Sequence, residues 1–286
     1  MNKATIKKIE EKLEESFMVV SGVGGGSIAD SNIIETASGK RFFLKTGFSG
    51  TIFFNEANGL KELRKPNCIT IPKVIAADSD FLILELILSG HRQKKFYTFF
   101  GRKLAQLHKY TTKNYGFYED NFIGATHQEN IPTDTERENW TEFYFNKRLM
   151  FQFKLAEKNG YATPELRNAF ESIEKNIDNI LKGSEEPPAL LHGDLWSGNY
   201  ITGNQGEPVL IDPAVYYGNR EADLAMTYLF GGFDEEFYRA YNEAYPLKEG
   251  WEYRLNIYKL YHVLNHLNLF GMGYYNQAIR LMRYYD

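Results

Sequence analysis

Asp194, Asn199 and Asp212 form a set whose types and spacing suit phosphoryl transfer. That reaction needs a carboxylate to orient the acceptor hydroxyl, with an Asn and a second Asp to hold magnesium against a triphosphate. The run Leu191-His192-Gly193-Asp194-Leu195-Trp196-Ser197-Gly198-Asn199 places the amide five residues beyond the carboxylate, the interval of the protein-kinase catalytic loop H-R-D-x-x-x-x-N. From Ile201 to Ile211 the chain reads as strand, Gly/Asn turn, strand, and such a hairpin returns Asp212 to the side of Asp194. Either Asp alone could merely cap a turn or end a strand. Together with His192, Asn199 and the hairpin they point to an ATP-dependent kinase using Mg2+, with Asp194 catalytic and Asn199 and Asp212 as metal ligands.

The nucleotide side reads from three earlier places. Lys45 follows Arg41-Phe42-Phe43-Leu44 on a strand whose alternation sends Phe43 and Lys45 to one face. A lysine on an otherwise apolar strand needs a partner, and Glu56 on the next helix supplies one, as in the Lys–Glu pair that positions ATP phosphates in kinases. The alternative is a solvated edge-strand lysine. Gly24, Gly25, Gly26 and Ser27 lie between two strands, where glycine lets backbone N–H groups approach phosphate, though the run matches neither the P-loop nor a strict G-x-G-x-x-G. Glu85 ends an apolar strand at the expected junction of two lobes, so backbone around it would meet adenine.

Those residues require a small sheet and a helical body behind it. Strands are expected at 17–21, 28–36, 41–46, 73–77 and 81–86, with one helix at 51–64. Beyond residue 92 the pattern turns helical, at 94–109, 136–158, 164–181, 221–229, 234–245 and 252–270. Ser89-Gly90 breaks the two regimes apart. The expectation is an α+β chain of two lobes, residues 1–89 binding ATP and residues 90–286 carrying catalysis and substrate.

Composition narrows the class of partner. The 286 residues carry 33 Lys and Arg against 37 Asp and Glu, a formal net charge of -4 without long blocks of one sign, which argues against a nucleic-acid surface. One cysteine, Cys68, excludes an intramolecular disulfide and suits a reducing cytoplasm. The N-terminal stretch is charged and amphipathic rather than signal-like, and no segment is apolar for the eighteen or so residues of a membrane span. A small soluble substrate suits this balance; oligomeric state is not legible.

Longer stretches carry a resemblance. The Gly24 to Ile28 run, Lys45, Glu56, Gly101 with Leu104-Ala105-Gln106-Leu107-His108, and Gly116-Phe117 followed by Asp120-Asn121-Phe122-Ile123-Gly124 resemble the fructosamine kinase (ketosamine-3-kinase) family. So do Trp140, Phe143, Arg148-Leu149, the His192 to Asn199 loop, Ile211-Asp212-Pro213-Ala214, and Arg220 to Met226 with Leu229 to Phe233. The resemblance implies a protein-kinase-like fold, shared with aminoglycoside phosphotransferases, and transfer of the ATP γ-phosphate to the 3-hydroxyl of a ketosamine, free or protein-bound. In that family the phosphorylated adduct breaks down and frees the amine, which is deglycation. Ser27 stands where some relatives have cysteine, and Trp196 where protein kinases have lysine.

Trp196 beside the acceptor could pack on the apolar face of a sugar, or simply fill the core. His262, Asn265 and His266 lie three and four apart on one helix face, and relatives show a similar Asn-His pair, so His266 is a substrate contact by resemblance. Core histidines, or a metal pair lacking a third ligand, are the competing accounts of that stripe. His192 is expected to bond backbone in the catalytic turn, and Asp223 to stiffen it. Sister kinases for an aminoglycoside, choline or homoserine would use the same phosphate machinery, and a nucleotide-binding pseudokinase would keep the fold without the chemistry.

Overall fold

The computed structural model describes residues 1–23 and 29–286. Gly24, Gly25, Gly26 and Ser27, the expected phosphate loop, lie outside the described residues, as does Ile28. Five antiparallel strands, β1 (Phe17–Gly22), β2 (Asp30–Thr36), β3 (Arg41–Thr46), β4 (Val74–Ala77) and β5 (Leu82–Glu85), form one sheet in the order β1-β2-β3-β5-β4. Helix α1 (Lys3–Leu13) precedes it, its first turn fixed by the Asn2 side chain accepting from Thr5 N at 2.9 Å. Helix α2 (Ile52–Arg64) follows β3.

Alternation sorts the sheet between these helices. Ile34, Leu44 and Ile83 form one buried cluster with Ile9 of α1 and Phe81, while Leu82 and Leu84 join Phe53, Ala57 and Leu60 of α2. Each fully buried Leu or Ile contributes roughly 1.5–3 kcal/mol of burial free energy. On β3 the residues flanking Leu44 therefore face α2, and they are Phe43 and Lys45.

The remainder is mainly helical: α3 (Phe96–His108), α4 (Trp140–Tyr144), α5 (Phe151–Lys158), α6 (Pro164–Ile180), α7 (Glu221–Thr227), α8 (Glu235–Ala244), α9 (Trp251–Phe270) and α10 (Tyr275–Met282). Helix α9 is buried around much of its girth, with α5, α7 and α10 packed on it. Helix α3 lies so close to α8 that a Cβ on Gly101 would sit 2.2 Å from Phe237 O; only glycine permits that approach.

Two sequence expectations need correction. The helix expected at 136–158 starts at Trp140, because Asn139 takes the cap position and accepts from Glu142 N at 3.2 Å. Thr133 and Glu136 close a separate turn upstream. A π segment, Phe145–Met150, then interrupts the α pattern and carries Arg148 fully inside. Two strand pairings escaped the periodic signal, β6 (Asn121–Ile123) with β7 (Thr126–Gln128) and β8 (Ala189–Leu191) with β11 (Tyr216–Gly218), whereas β9 (Tyr200–Thr202) pairs with β10 (Pro208–Leu210) as the hairpin expected there.

Candidate functional site

The β9–β10 hairpin returns the chain as the sequence suggested. Asp212 follows β10 and Asp194 precedes β9, and both line one cleft of about 450 Å³ with Lys45, Glu56, Asn199 and Trp196. Lys45 Nζ donates to Glu56 Oε1 at 2.7 Å and to Asp212 Oδ1 at 2.6 Å. Burial works against the Lys45 ammonium, but the carboxylates of Glu56 and Asp212 outweigh it and raise its pKa. Lys45 is thus held charged at the centre of the cleft, not solvated on an edge.

Asn199 Nδ2 donates to Asp194 Oδ2 at 2.8 Å and to Asp194 O at 2.7 Å. Burial pushes the Asp194 carboxyl up to about 7; Asp212 and Asp223 add to the rise and the Asn199 bond opposes it. A carboxyl poised there is suited to accepting a proton from a hydroxyl near neutral pH. The amide's remaining oxygen and the second oxygen of Asp212 are hard donors on the cleft wall. Two such oxygens fit magnesium, which keeps waters and phosphate oxygens in its remaining positions. Among the described residues no group of three or more His, Cys, Asp or Glu is gathered to hold a metal by itself.

Two turns carrying the carboxylates are joined directly. His192 Nε2 donates to Ile211 O at 2.9 Å, leaving Nδ1 to accept from Asp194 N at 3.3 Å. Ala214 N donates to His192 O at 2.9 Å. Gly193, at φ +84°, passes so near that a Cβ there would meet Ala214 O at 1.9 Å. Beneath the turn the buried Asp223 accepts from His192 N (2.7 Å) and Gly193 N (2.8 Å), and lies 3.2 Å from His108 Nε2. Asp212 itself sits at φ +56°, a left-handed conformation that a non-glycine residue keeps only when its surroundings impose it.

The segment just beyond Asp212 is held by Asn121, from the Asp120 to Gly124 stretch, and by Gln128, which the sequence did not mark. Gln128 Nε2 donates to Ala214 O at 3.0 Å and to Asn121 Oδ1 at 2.8 Å; Asn121 Nδ2 donates to Val215 O at 2.8 Å; Tyr261 donates to Gln128 Oε1 at 2.6 Å. Helix α2 rests on the same segment, with Gly59 against Val215 and Tyr217 donating to Glu62 Oε1 at 2.9 Å. A buried amide between two other elements has no periodic signature; the only hint was its presence near the Asp120 to Gly124 stretch.

The other expected residues fall in two places. Glu85 lines the cleft together with Leu86 and Ile87, and its carboxylate accepts from Lys73 N at 3.1 Å. Trp196 lines the cleft and its indole covers Gly198. His266 is one ring removed: Phe230 lies edge-on to Trp196 at 5.7 Å and 4.9 Å from His266. One His266 nitrogen meets His262 O at 2.7 Å.

The family model described as fructosamine kinase matches residues 1–285. A chloroplastic protein-ribulosamine 3-kinase of Oryza sativa subsp. indica is 40% identical over 272 residues, covering 92% of this chain and 77% of that protein. A crystal structure of a Thermobifida fusca protein assigned as a fructosamine-3-kinase superposes with TM-score 0.88 at 30% identity, covering 100% and 99% of the two chains. The ADP-bound aminoglycoside phosphotransferase APH(2'')-Ib shares the fold, with TM-score 0.60 at 16% identity over 99% and 98% of the chains.

Proposed function

Because the chain belongs to the fructosamine kinase family, we propose that it transfers the γ-phosphoryl group of ATP to the 3-hydroxyl of a ketosamine, a ribulosamine or fructosamine. The observation that carries the reading is the meeting in one cleft of the Glu56–Lys45–Asp212 chain and the Asp194–Asn199 pair. Asp194 orients the acceptor hydroxyl and takes its proton as the new P–O bond forms. Lys45, steadied by Glu56, binds the α- and β-phosphates, and adenine lies among Ile33, Phe43, Leu84 and Ile211 beside the Glu85 backbone. Mg2+ held by Asn199 and Asp212 would supply charge neutralisation on the phosphates. Gly24 to Ser27 keep the phosphate-covering role their composition suggests. Residues 1–89 serve as the nucleotide lobe and 90–286 as the catalytic lobe.

Trp196 brings no positive charge where protein kinases have lysine, so the γ-phosphate depends on Lys45 and the metal. A reducing compartment such as the cytoplasm suits Cys68, which is buried, and no helix among the described residues is long and apolar enough to cross a membrane. The test is incubation of the purified protein with ATP, magnesium and the ribulosamine or fructosamine of lysine, following ADP and phosphorylated product by mass spectrometry. Substrate-dependent ADP with a matching phosphoester supports the proposal. ADP release only with an aminoglycoside, choline or homoserine would replace it with a sister activity, and ATP binding without turnover on any acceptor would leave a pseudokinase.

A further inference from the structure

An aromatic path leaves the cleft at Trp196 and runs outward over the surface. From Phe230, edge-on to Trp196, it passes to His266 at 4.9 Å, and His266 in turn lies 5.4 Å from Phe270 and 5.1 Å from Tyr274. Folding leaves this path in the open: Phe230 is 41% exposed, Phe270 54% and the adjoining Met272 51%. Contiguous exposed apolar side chains of this kind mark interaction sites more often than chance.

The backbone supports that reading independently. Phe230, Gly231 and Gly232 all have positive φ, at 55°, 101° and 75°. For a bulky Phe this conformation is costly and persists where surrounding structure imposes it. Tyr238 pins the base of the turn, its hydroxyl donating to Thr227 O at 3.1 Å and accepting from Phe233 N at 3.1 Å. The ring this strained turn carries is 41% exposed and touches Trp196 and His266, so it fills no position in the buried core.

We propose that Phe230, His266, Phe270 and Tyr274 form the subsite for the amine half of the ketosamine, taking the methylenes and secondary ammonium of a lysine adduct. The inference rests on the kinase reading above. In a ketosamine the nitrogen is attached to C1, two carbons from the reacting 3-hydroxyl, so a sugar presented to Asp194 sends its amine substituent out of the cleft. Trp196, two residues from Asp194, is where the path begins. Aromatic faces suit both a protonated amine and the alkyl chain attached to it.

The test compares kcat/KM for the ribulosamine of Nα-acetyl-lysine with that for the ribulosamine of methylamine, in the native protein and in Phe230→Ala, Tyr274→Ala and the double variant. Both adducts carry the secondary ammonium, so the preference reads the lysine methylenes, and it should fall about tenfold in the double variant, the loss expected when one to two methylene groups are uncovered. Equal loss for both adducts, or an unchanged preference in active variants, would overturn the subsite while leaving the kinase reading intact. Native protein inactive on both adducts would remove that reading and the subsite with it.

Discussion

Replacing Gly193 by alanine should disable catalysis without removing any catalytic atom. The new Cβ would stand 1.9 Å from Ala214 O, and real Cβ contacts essentially never fall below 3.0 Å, so the two turns must part by about 1.1 Å. One turn carries Asp194 in the next position, and the other carries Asp212 two residues earlier, so the displacement falls between the two carboxylates. Misplacement by about 1 Å can lower turnover by about 10²-fold. The left-handed backbone at φ +84° adds roughly 1–2 kcal/mol of strain for alanine, and His192 O to Ala214 N, now 2.9 Å, must stretch. Steady-state turnover at saturating ATP and ketosamine, alongside urea unfolding, separates the two effects. A folded Gly193→Ala protein with kcat within threefold of native would refute the claim that this contact sets the spacing of Asp194 and Asp212.

Further outcomes follow from the same geometry. Asp194→Asn should lose about 10²–10⁴ in kcat while ATP affinity, read by calorimetry, stays within a few-fold; equal loss of both would sink the proton-accepting role. Lys45→Met removes the cation shared by Glu56 and Asp212, and nucleotide binding should weaken by at least about tenfold, as charge-assisted contacts are lost. Gln128→Leu should destabilise the fold by about 1–3 kcal/mol, because Ala214 O and the Tyr261 hydroxyl lose their partner; an unchanged urea midpoint would contradict it. Burial pushes the His262 imidazole down to about 3, with His266 adding to the fall. The unfolded chain therefore binds the proton first, and stability should fall as pH drops below about 6.5, by up to about 1.4 kcal/mol per unit. Burial lowers the His108 and His192 imidazoles as well, so His262→Leu should reduce that slope between about pH 6.5 and 5 without abolishing it.

The parts legible in the sequence were those with local rules. The five-position interval from Asp194 to Asn199 and a Gly/Asn-turn hairpin were enough to bring Asp212 back, and alternation on β3 put Lys45 on the side of Glu56. His192 was expected to bond backbone in the catalytic turn and Asp223 to stiffen it; His192 Nδ1 accepts from Asp194 N, and Asp223 accepts from His192 N and Gly193 N. Three-residue strands such as β6 and β7 are too short for a period to emerge, and the shift to π geometry at Phe145 leaves apolar spacing almost unchanged. The Gln128–Asn121 clamp was illegible for another reason: its partners at Ala214 and Val215 lie more than eighty residues away, and a buried amide reads in sequence like a polar surface residue. The direct bond from Lys45 to Asp212 likewise exists only once both parts of the chain have packed.

Protein kinases are often governed by whether the lysine and glutamate of the nucleotide site are brought together. Here the helix bearing Glu56 is seated through Gly59 on Val215 and through Glu62 on Tyr217, immediately downstream of Asp212. The ion pair is thus steadied by the packing of this helix on the segment after Asp212 as well as by its own bonds. A change at Gly59 or Tyr217 should therefore reach the Lys45–Glu56 pair without altering either of its members.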